Sequence, residues 1–293
     1  MKITLSKNLS YCFGVKRTLN LVEDLLAKNP QETYYMLGEV VHNEHVIQSL
    51  KARGLRVIQD LTEVEPGGTV IIQSHGTPRK TFVKLKEMNL KYLDTTCPMV
   101  EVIHRRIGEL HDAGYHPIII GQKGHDEVRG IAGQVPEAKI FGTPDEVDTA
   151  DLSGIDRAGV VVQSTFILED AMAILKRIER RIPDVNFLNT ICRPTRERQG
   201  EVERITGRYE CILIVGSKSS ANTRHLYNLA SGTRSCVYLV DDPETVRELP
   251  IDSSSSIFIT SGASTPMVLI KRVIEILNER FGGSETKESN IEK

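Results

Sequence analysis

The chain has 293 residues, 40% hydrophobic and 26% charged, with a net charge of −2. That length favours two or three modest domains over one, and the composition is that of an ordinary soluble globular protein. No apolar run approaches the ~20 residues needed to cross a bilayer and residues 1–30 lack a signal-peptide core, which points to the cytoplasm, while the absence of a lysine–arginine stripe with interleaved aromatics excludes a nucleic-acid footprint.

The chain opens with a strand at Lys2 to Leu5, then Asn8-Leu9-Ser10-Tyr11-Cys12-Phe13-Gly14 and a helix from Val15 to Lys28 ended by Asn29-Pro30. Strand Tyr34 to Leu37 runs into Gly38-Glu39-Val40-Val41-His42-Asn43, and a helix near Glu44 to Arg53 stops at Gly54. After Leu55 to Ile58 and a turn at Pro66-Gly67-Gly68, strand Thr69 to Gln73 delivers Ser74-His75-Gly76-Thr77-Pro78, and a helix follows. The plan then repeats. Lys91 to Leu93 leads to Asp94-Thr95-Thr96-Cys97-Pro98, a helix from Met99 to Ala113, and a strand Pro117 to Ile120 that delivers Gly121-Gln122-Lys123-Gly124-His125-Asp126-Glu127. Strand Lys139 to Phe141 comes next, and Gly159 to Gln163 delivers Ser164-Thr165 ahead of a helix Leu168 to Arg181. In the third round Asn189-Thr190-Ile191-Cys192-Arg193-Pro194 heads a helix Thr195 to Tyr209, and strand Ile212 to Val215 delivers Gly216-Ser217-Lys218-Ser219-Ser220-Ala221-Asn222-Thr223. Strands Val237 to Val240 and Ser256 to Thr260 follow, the second delivering Ser261-Gly262-Ala263-Ser264-Thr265-Pro266 before a helix Met267 to Arg280. The polar tail from Gly282 to Lys293 is expected to be disordered.

Cys12, Cys97 and Cys192 stand 85 and 95 residues apart and divide the chain into units at 1–89, 90–186 and 187–281. From each cysteine, His42 lies 30 residues on, His125 28 and Asn222 30; a second polar loop lies at His75, Ser164 and Ser264, 63, 67 and 72 residues on. Short apolar strands alternating with helices imply parallel sheets covered on both faces, with ligands at the carboxyl ends of the strands. The expected fold is α/β: three similar small units with mainly parallel sheets, arranged pseudo-threefold, as a trefoil, around a central cavity.

Five cysteines in a reducing compartment argue against structural disulfides. Cys211 and Cys236 open apolar runs and read as core fillers. Cys12, Cys97 and Cys192 precede helices, where backbone N–H groups favour a thiolate. Three convergent thiolates suit an iron–sulfur cluster or zinc, and the long spacing lacks the local pairs of structural zinc sites. A [4Fe-4S] cluster with three cysteines leaves one iron open, a Lewis acid and substrate site. His42, His75 and His125, with Ser220, Asn222, Ser264 and nearby helix N-termini, supply the donors a diphosphate needs. Glu127 is the best general-acid candidate, with Asp126 as competitor, and His45, His104, His111, His116 and His225 read as solvated or structural.

At these residues the chain resembles the IspH or LytB family of 4-hydroxy-3-methylbut-2-enyl diphosphate reductases. The matching stretches are Cys12-Phe13-Gly14-Val15, Gly38-Glu39-Val40-Val41-His42-Asn43, Ser74-His75-Gly76, Asp94-Thr95-Thr96-Cys97-Pro98, Gly124-His125-Asp126-Glu127-Val128, Arg198-Gln199, Gly216-Ser217-Lys218 and Gly262-Ala263-Ser264. The resemblance implies a three-lobed fold around one [4Fe-4S] cluster per chain, bound by Cys12, Cys97 and Cys192 with one iron open. It implies reductive removal of the substrate hydroxyl to give isopentenyl and dimethylallyl diphosphate, the last step of the non-mevalonate (MEP) isoprenoid route. His42, His75, His125, Ser220, Asn222 and Ser264 then form the diphosphate cradle, Ser164 and Thr165 are further substrate-binding residues, and Glu127 is the proton source, helped by a loop hydroxyl. The family's Thr-Thr after glutamine is Ser164-Thr165 here, the second of its serine pair is Ala221, and Arg193 to Glu197 carries more charge than its counterpart.

A two-electron reduction through a one-electron cluster implies a ferredoxin- or flavodoxin-like donor protein; neither nucleic acid nor membrane is an expected partner. Two rivals explain less. A zinc or other divalent-metal hydrolase using His42, His75, His125 and Glu127 leaves the cysteine spacing idle, and a non-catalytic iron–sulfur sensor needs a partner surface that no basic helix or apolar stripe announces.

Overall fold

The structure is a computed structural model and describes residues 1–38, 43–205, 207–232 and 236–282, together with the backbone of 285–288. In chain order its elements are β1 (Lys2–Leu5), α1 (Phe13–Lys28), β2 (Tyr34–Leu37), α2 (Glu44–Ala52), β3 (Leu55–Ile58), β4 (Thr69–Ile72), α3 (Arg79–Glu87), β5 (Lys91–Asp94) and α4 (Pro98–Asp112). There follow β6 (His116–Ile120), α5 (Asp126–Ala132), β7 (Lys139–Phe141), α6 (Pro144–Thr149), β8 (Arg157–Val162), α7 (Leu168–Glu179), β9 (Asp184–Leu188) and α8 (Arg193–Ile205). The last are β10 (Cys211–Val215), α9 (Ala221–Ser231), β11 (Cys236–Val240), β12 (Ser256–Ser261), α10 (Met267–Phe281) and β13 (Glu285–Glu288).

The strands form three sheets of one design. Their orders are β3-β2-β4-β5, β7-β6-β8-β9 and β11-β10-β12-β1-β13, and every pairing is parallel. Apart from β13, each sheet follows one plan, with a strand pair such as β2 and β4 at its centre where the order reverses. That reversal opens a crevice at the carboxyl ends of the two central strands. The strand that precedes each cysteine pairs beside a central strand: β5 on β4 and β9 on β8, each from the stretch just before it, and β1, at the start of the chain, on β12 near its end. Two compact bodies result. The described residues of Met1–Val15, Val41–Val46 and Arg193–Lys293 hold the third sheet, and those of Lys16–Val40 and Ile47–Cys192 hold the other two.

The central strands carry near-continuous apolar runs because helices cover both faces. In the β7-β6-β8-β9 sheet, Ile118, Ile120, Val160 and Val162 pack with Ile174 and Ile178 of α7, while Ile119 and Val161 turn the other way onto Ile103 and Ile107 of α4. In the third sheet Leu213, Val215, Ile257 and Ile259 meet Ile270, Val273 and Ile276 of α10; Ile212, Ile214 and Phe258 meet Val202, Ile205 and Leu226. Each such side chain contributes about 1.5–3 kcal/mol by leaving water.

Two expectations are corrected by the fold. The polar tail is not disordered throughout: Glu285–Glu288 forms a strand with Lys2↔Glu285 through Leu5↔Glu288 in parallel register on β1. Ladder bonds are made by backbone, so polar composition does not prevent a segment from covering the otherwise unpaired edge of β1. Cys236, read as a core filler, is exposed, unlike Cys211; it begins β11, the edge strand of its sheet, where fewer neighbours cover it.

Candidate functional site

Each of the three cysteines has its backbone N–H tied in the same way. Cys97 donates to Ser74 O at 2.9 Å, Cys192 to Ser164 O at 2.9 Å and Cys12 to Ala263 O at 3.0 Å. Ser74, Ser164 and Ala263 are therefore the matching residues of the second polar loop, and each sits two residues beyond the end of its central strand. The equivalence read from spacing is corrected by one: the counterpart of His75 and Ser264 is Thr165, not Ser164. A similar slip affects the first loop. Gly38, Gly121 and Gly216 each donate to the neighbouring strand's end, at Ile58, Phe141 and Val240. Counting four residues from Gly121 and Gly216 reaches His125 and Ser220, which are the N-caps of α5 and α9. Two residues further lie Glu127 and Asn222. Asn222 is thus the counterpart of Glu127, and Ser220 that of His125. His42 lies outside the described residues.

Glu127 is the most unusual group. It stands in the first turn of α5, is only 1% exposed, and accepts from the Ser164 N–H at 2.5 Å and the Ser164 hydroxyl at 2.8 Å. Burial pushes its carboxyl above the ordinary carboxylate range, opposed by the two Ser164 hydrogen bonds. No cation pairs with it among the described residues. Ser164 thus holds Glu127 with its N–H and hydroxyl and Cys192 with its carbonyl. Asp126, its competitor, is engaged elsewhere: Oδ2 accepts from Gln73 Nε2 at 3.0 Å, and Oδ1 pairs with the Arg129 guanidinium. Two N–H donors, one of them cationic, are what a carboxylate binds, so Asp126 is not placed to give up a proton.

His75 and His125 come together edge to face, with ring centroids 5.4 Å apart. His75 Nδ1 lies 2.9 Å from Gln73 Oε1, and His125 Nδ1 accepts from the Glu127 N–H at 3.2 Å as the cap of α5. Thr165 hydroxyl accepts from Gln163 Nε2 at 3.1 Å. In the other body Ser220 caps α9 through the Thr223 N–H, and the Ser264 hydroxyl lies 3.5 Å from that of Ser220. Asn222 is 4% exposed, yet among the described residues neither its Nδ2 nor its Oδ1 has a hydrogen-bond partner. Buried amides are nearly always satisfied, and one that is not, beside two hydroxyls at a helix N-terminus, has the chemistry of an anion subsite.

The Cys12 loop is braced by α8. Ser10 adopts φ 65°, donates its N–H to Ser261 and its hydroxyl to Thr265 O, and accepts from Arg198 Nη2 at 2.7 Å. Glu201 accepts from the Ser6 hydroxyl at 2.6 Å and the Lys7 N–H at 3.0 Å. The added charge after Cys192 is turned outward as an exposed Arg193–Glu197 pair of 2.7 Å. Sequence reasoning missed Gln73, Ser74 and Glu201 as supports. The signal for Gln73 was its match with Gln163, each the residue directly after a central strand. His104 fits the structural reading: it packs against Gly76 and Gly130, and burial lowers its ring to about 4.

The chemistry of the donor set fits an iron–sulfur cluster. Cys12, Cys97 and Cys192 are in no disulfide and are of intermediate exposure, each directly before a helix, with the same backbone anchoring; soft sulfur in repeat-equivalent positions suits such a group. Among the described residues no three or more His, Cys, Asp or Glu side chains stand as a ready metal cage. The hydrolase alternative fares worse on side-chain direction, since Glu127 is turned onto Ser164 and His125 Nδ1 accepts the Glu127 N–H, which leaves hydrogen on its Nε2. No helix among the described residues is long and apolar enough to cross a membrane.

The LytB protein family model matches residues 3–278. The 4-hydroxy-3-methylbut-2-enyl diphosphate reductase of Methylibium petroleiphilum is 34% identical over 295 residues, covering 99% of this chain and 89% of that protein. A solved structure of (E)-4-hydroxy-3-methyl-but-2-enyl diphosphate reductase, described as the terminal enzyme of the non-mevalonate pathway, is 30% identical with a TM-score of 0.70, covering 95% of this chain and 100% of that one. The E-1-hydroxy-2-methyl-but-2-enyl-4-diphosphate reductase from Plasmodium falciparum, at 24% identity, shares the fold with a TM-score of 0.89, covering 100% of this chain and 93% of that one. The three parallel α/β units and these relatives define an enzyme of the oxidoreductase class. The chain belongs to the LytB protein family.

Proposed function

We propose that this chain is a cytoplasmic reductase that converts 4-hydroxy-3-methylbut-2-enyl diphosphate into isopentenyl and dimethylallyl diphosphate. Cys12, Cys97 and Cys192 would hold one [4Fe-4S] cluster with one iron open. The observation that carries the reading is the run of contacts from Glu127 through Ser164 to Cys192, which joins a buried carboxyl to the backbone of Cys192. When bound, the cluster supplies single electrons and a Lewis-acidic iron for the substrate hydroxyl.

In the overall change the allylic C–O bond breaks, two electrons and two protons are taken up, and the hydroxyl leaves as water. Glu127 is the proton holder: burial favours its neutral form, and Ser164 fixes its two oxygens. His75, His125, Ser220, Asn222 and Ser264, with His42, grip the diphosphate through N–H and O–H donors rather than a lysine surface, and Thr165 adds a hydroxyl in the loop of Ser164. Electrons come from a ferredoxin- or flavodoxin-like protein.

The test is iron and acid-labile sulfide per chain after anaerobic purification, with reductase turnover driven by a one-electron reductant. We expect about four of each, lost in Cys12→Ser, Cys97→Ser and Cys192→Ser but kept in Cys211→Ser. Iron retained in the three variants would overturn the ligand set; absence of turnover in cluster-loaded wild type would overturn the reaction.

A further inference from the structure

The diphosphate reading uses His75 and His125 but leaves Gln73 and Asp126 unexplained. Their hydrogen bonds form one line: Arg129 to Asp126 Oδ1, Asp126 Oδ2 to Gln73 Nε2, Gln73 Oε1 to His75 Nδ1. A carboxylate can only accept, so the amide nitrogen of Gln73 must face Asp126 and its oxygen must face His75. An amide oxygen likewise only accepts. Nδ1 of His75 therefore carries hydrogen, whichever charge state the ring is in. His125 is fixed the opposite way: its Nδ1 accepts the Glu127 N–H as a helix cap, so its hydrogen sits on Nε2. Two histidines in edge contact are thus held in opposite tautomers by groups at their outer nitrogens.

The backbone makes room for this line. Gly38, at φ +77°, comes so close that a Cβ there would stand 2.5 Å from Gln73 Nε2 and 3.6 Å from Asp126 Oδ2. Any larger residue would push the amide off the carboxylate. A packed glycine, a half-buried carboxylate and a bridging amide form a built device that packing alone does not require.

We propose that Gln73 is a positioning residue that, oriented by Asp126, locks His75 as its Nδ1–H tautomer so that contact with the diphosphate runs through Nε2, complementary to the Nε2–H that His125 presents. This rests on the diphosphate reading of His75. Gln73 touches no reacting atom; it acts through the ring it orients, as the outer partners of ligating histidines commonly do.

The experiment is long-range 15N–1H correlation of the imidazoles in the full chain, labelled at histidine, at about pH 8.5, two units above the ordinary histidine value of about 6.5. His75 and His125 are assigned by His75→Phe and His125→Phe. In the wild type His75 shows hydrogen on Nδ1 and His125 on Nε2. In Gln73→Met, His75 relaxes toward the Nε2–H form, and KM rises about five- to tenfold, as expected for one lost hydrogen bond, with kcat within about twofold. Gln73→Glu combined with Asp126→Asn reverses the polarity of one link yet keeps both bonds: the new carboxylate accepts from the amide introduced at position 126 and from His75. It should restore the Nδ1–H signal and most of the KM. A wild-type His75 with hydrogen on Nε2, or a Gln73→Met spectrum unchanged from wild type, overturns the proposal, as does a double variant no better than the single one. If the spectra behave as stated but KM is unmoved in both Gln73→Met and His75→Phe, the tautomer lock stands and the diphosphate reading of His75 fails instead.

Discussion

Exchanging Glu127 for glutamine keeps the volume of the side chain and removes its charge. In the wild type the carboxyl is buried with no cation among the described residues and two hydrogen bonds from Ser164. Those bonds survive the exchange, because the new amide oxygen accepts the Ser164 N–H and the hydroxyl can reverse to accept from the amide nitrogen. What changes is the cost of ionisation. The folded-state carboxyl lies above its ordinary value of 4.5, chiefly through burial. A group raised in this way contributes stability that is full below the unfolded value and is lost as pH rises through the folded one, at no more than about 1.4 kcal/mol per pH unit for a single proton. Glu127→Gln has no such term. Its melting temperature should match that of the wild type near pH 4.5 and exceed it by a margin that grows as pH rises to 8, at about 2 °C per kcal/mol for a chain of this size. The same variant should lose about 10²- to 10⁴-fold in turnover while keeping its iron. Thermal melts of both proteins from pH 4.5 to 8 decide the matter. A melting difference that does not grow with pH would refute the buried, uncompensated carboxyl; undiminished turnover would remove Glu127 from proton delivery.

Three further outcomes follow from the same geometry. Ser164→Ala should lower stability by about 1–3 kcal/mol, because it deletes a hydroxyl that donates to a buried carboxyl; urea denaturation measures it, and a cost under about 0.3 kcal/mol contradicts the contact. Asn222→Ala should behave differently, raising KM about tenfold through a lost diphosphate donor but costing under about 1 kcal/mol in the same denaturation, since its amide has no partner among the described residues to lose; a large stability loss with unchanged KM would make it a structural residue. Burial, with Cys236 beside it, pushes the Cys211 thiol up to about 12, so iodoacetamide at about pH 8 should modify exposed Cys236 first and leave Cys211 untouched in the folded protein, as mass spectrometry of the digest will show.

The amino-acid sequence by itself determined most of the fold. Apolar runs at Thr69–Ile72, His116–Ile120 and Cys211–Val215 alternate with helical stretches, and such runs admit only parallel strands covered on both faces. It also marked the three cysteines, each where a strand gives way to a helix. Short elements escaped it. α5 and α9 are nucleated by the caps His125 and Ser220, and β9 alternates too weakly in Asp-Val-Asn-Phe-Leu to stand out. Only the tertiary structure decided which loop residues correspond. Spacing counts every residue in loops of unequal length, whereas the N–H of Cys97, Cys192 and Cys12 measures position in space and selects Ser74, Ser164 and Ala263. It alone separated Glu127 from its neighbour Asp126. The two adjacent carboxylates have the same chemistry on paper, but the first turn of α5 sends one into the core against Ser164 and the other outward to Gln73 and Arg129, and burial, a property of the fold and not of the residue, raises the carboxyl of Glu127 above the ordinary carboxylate range.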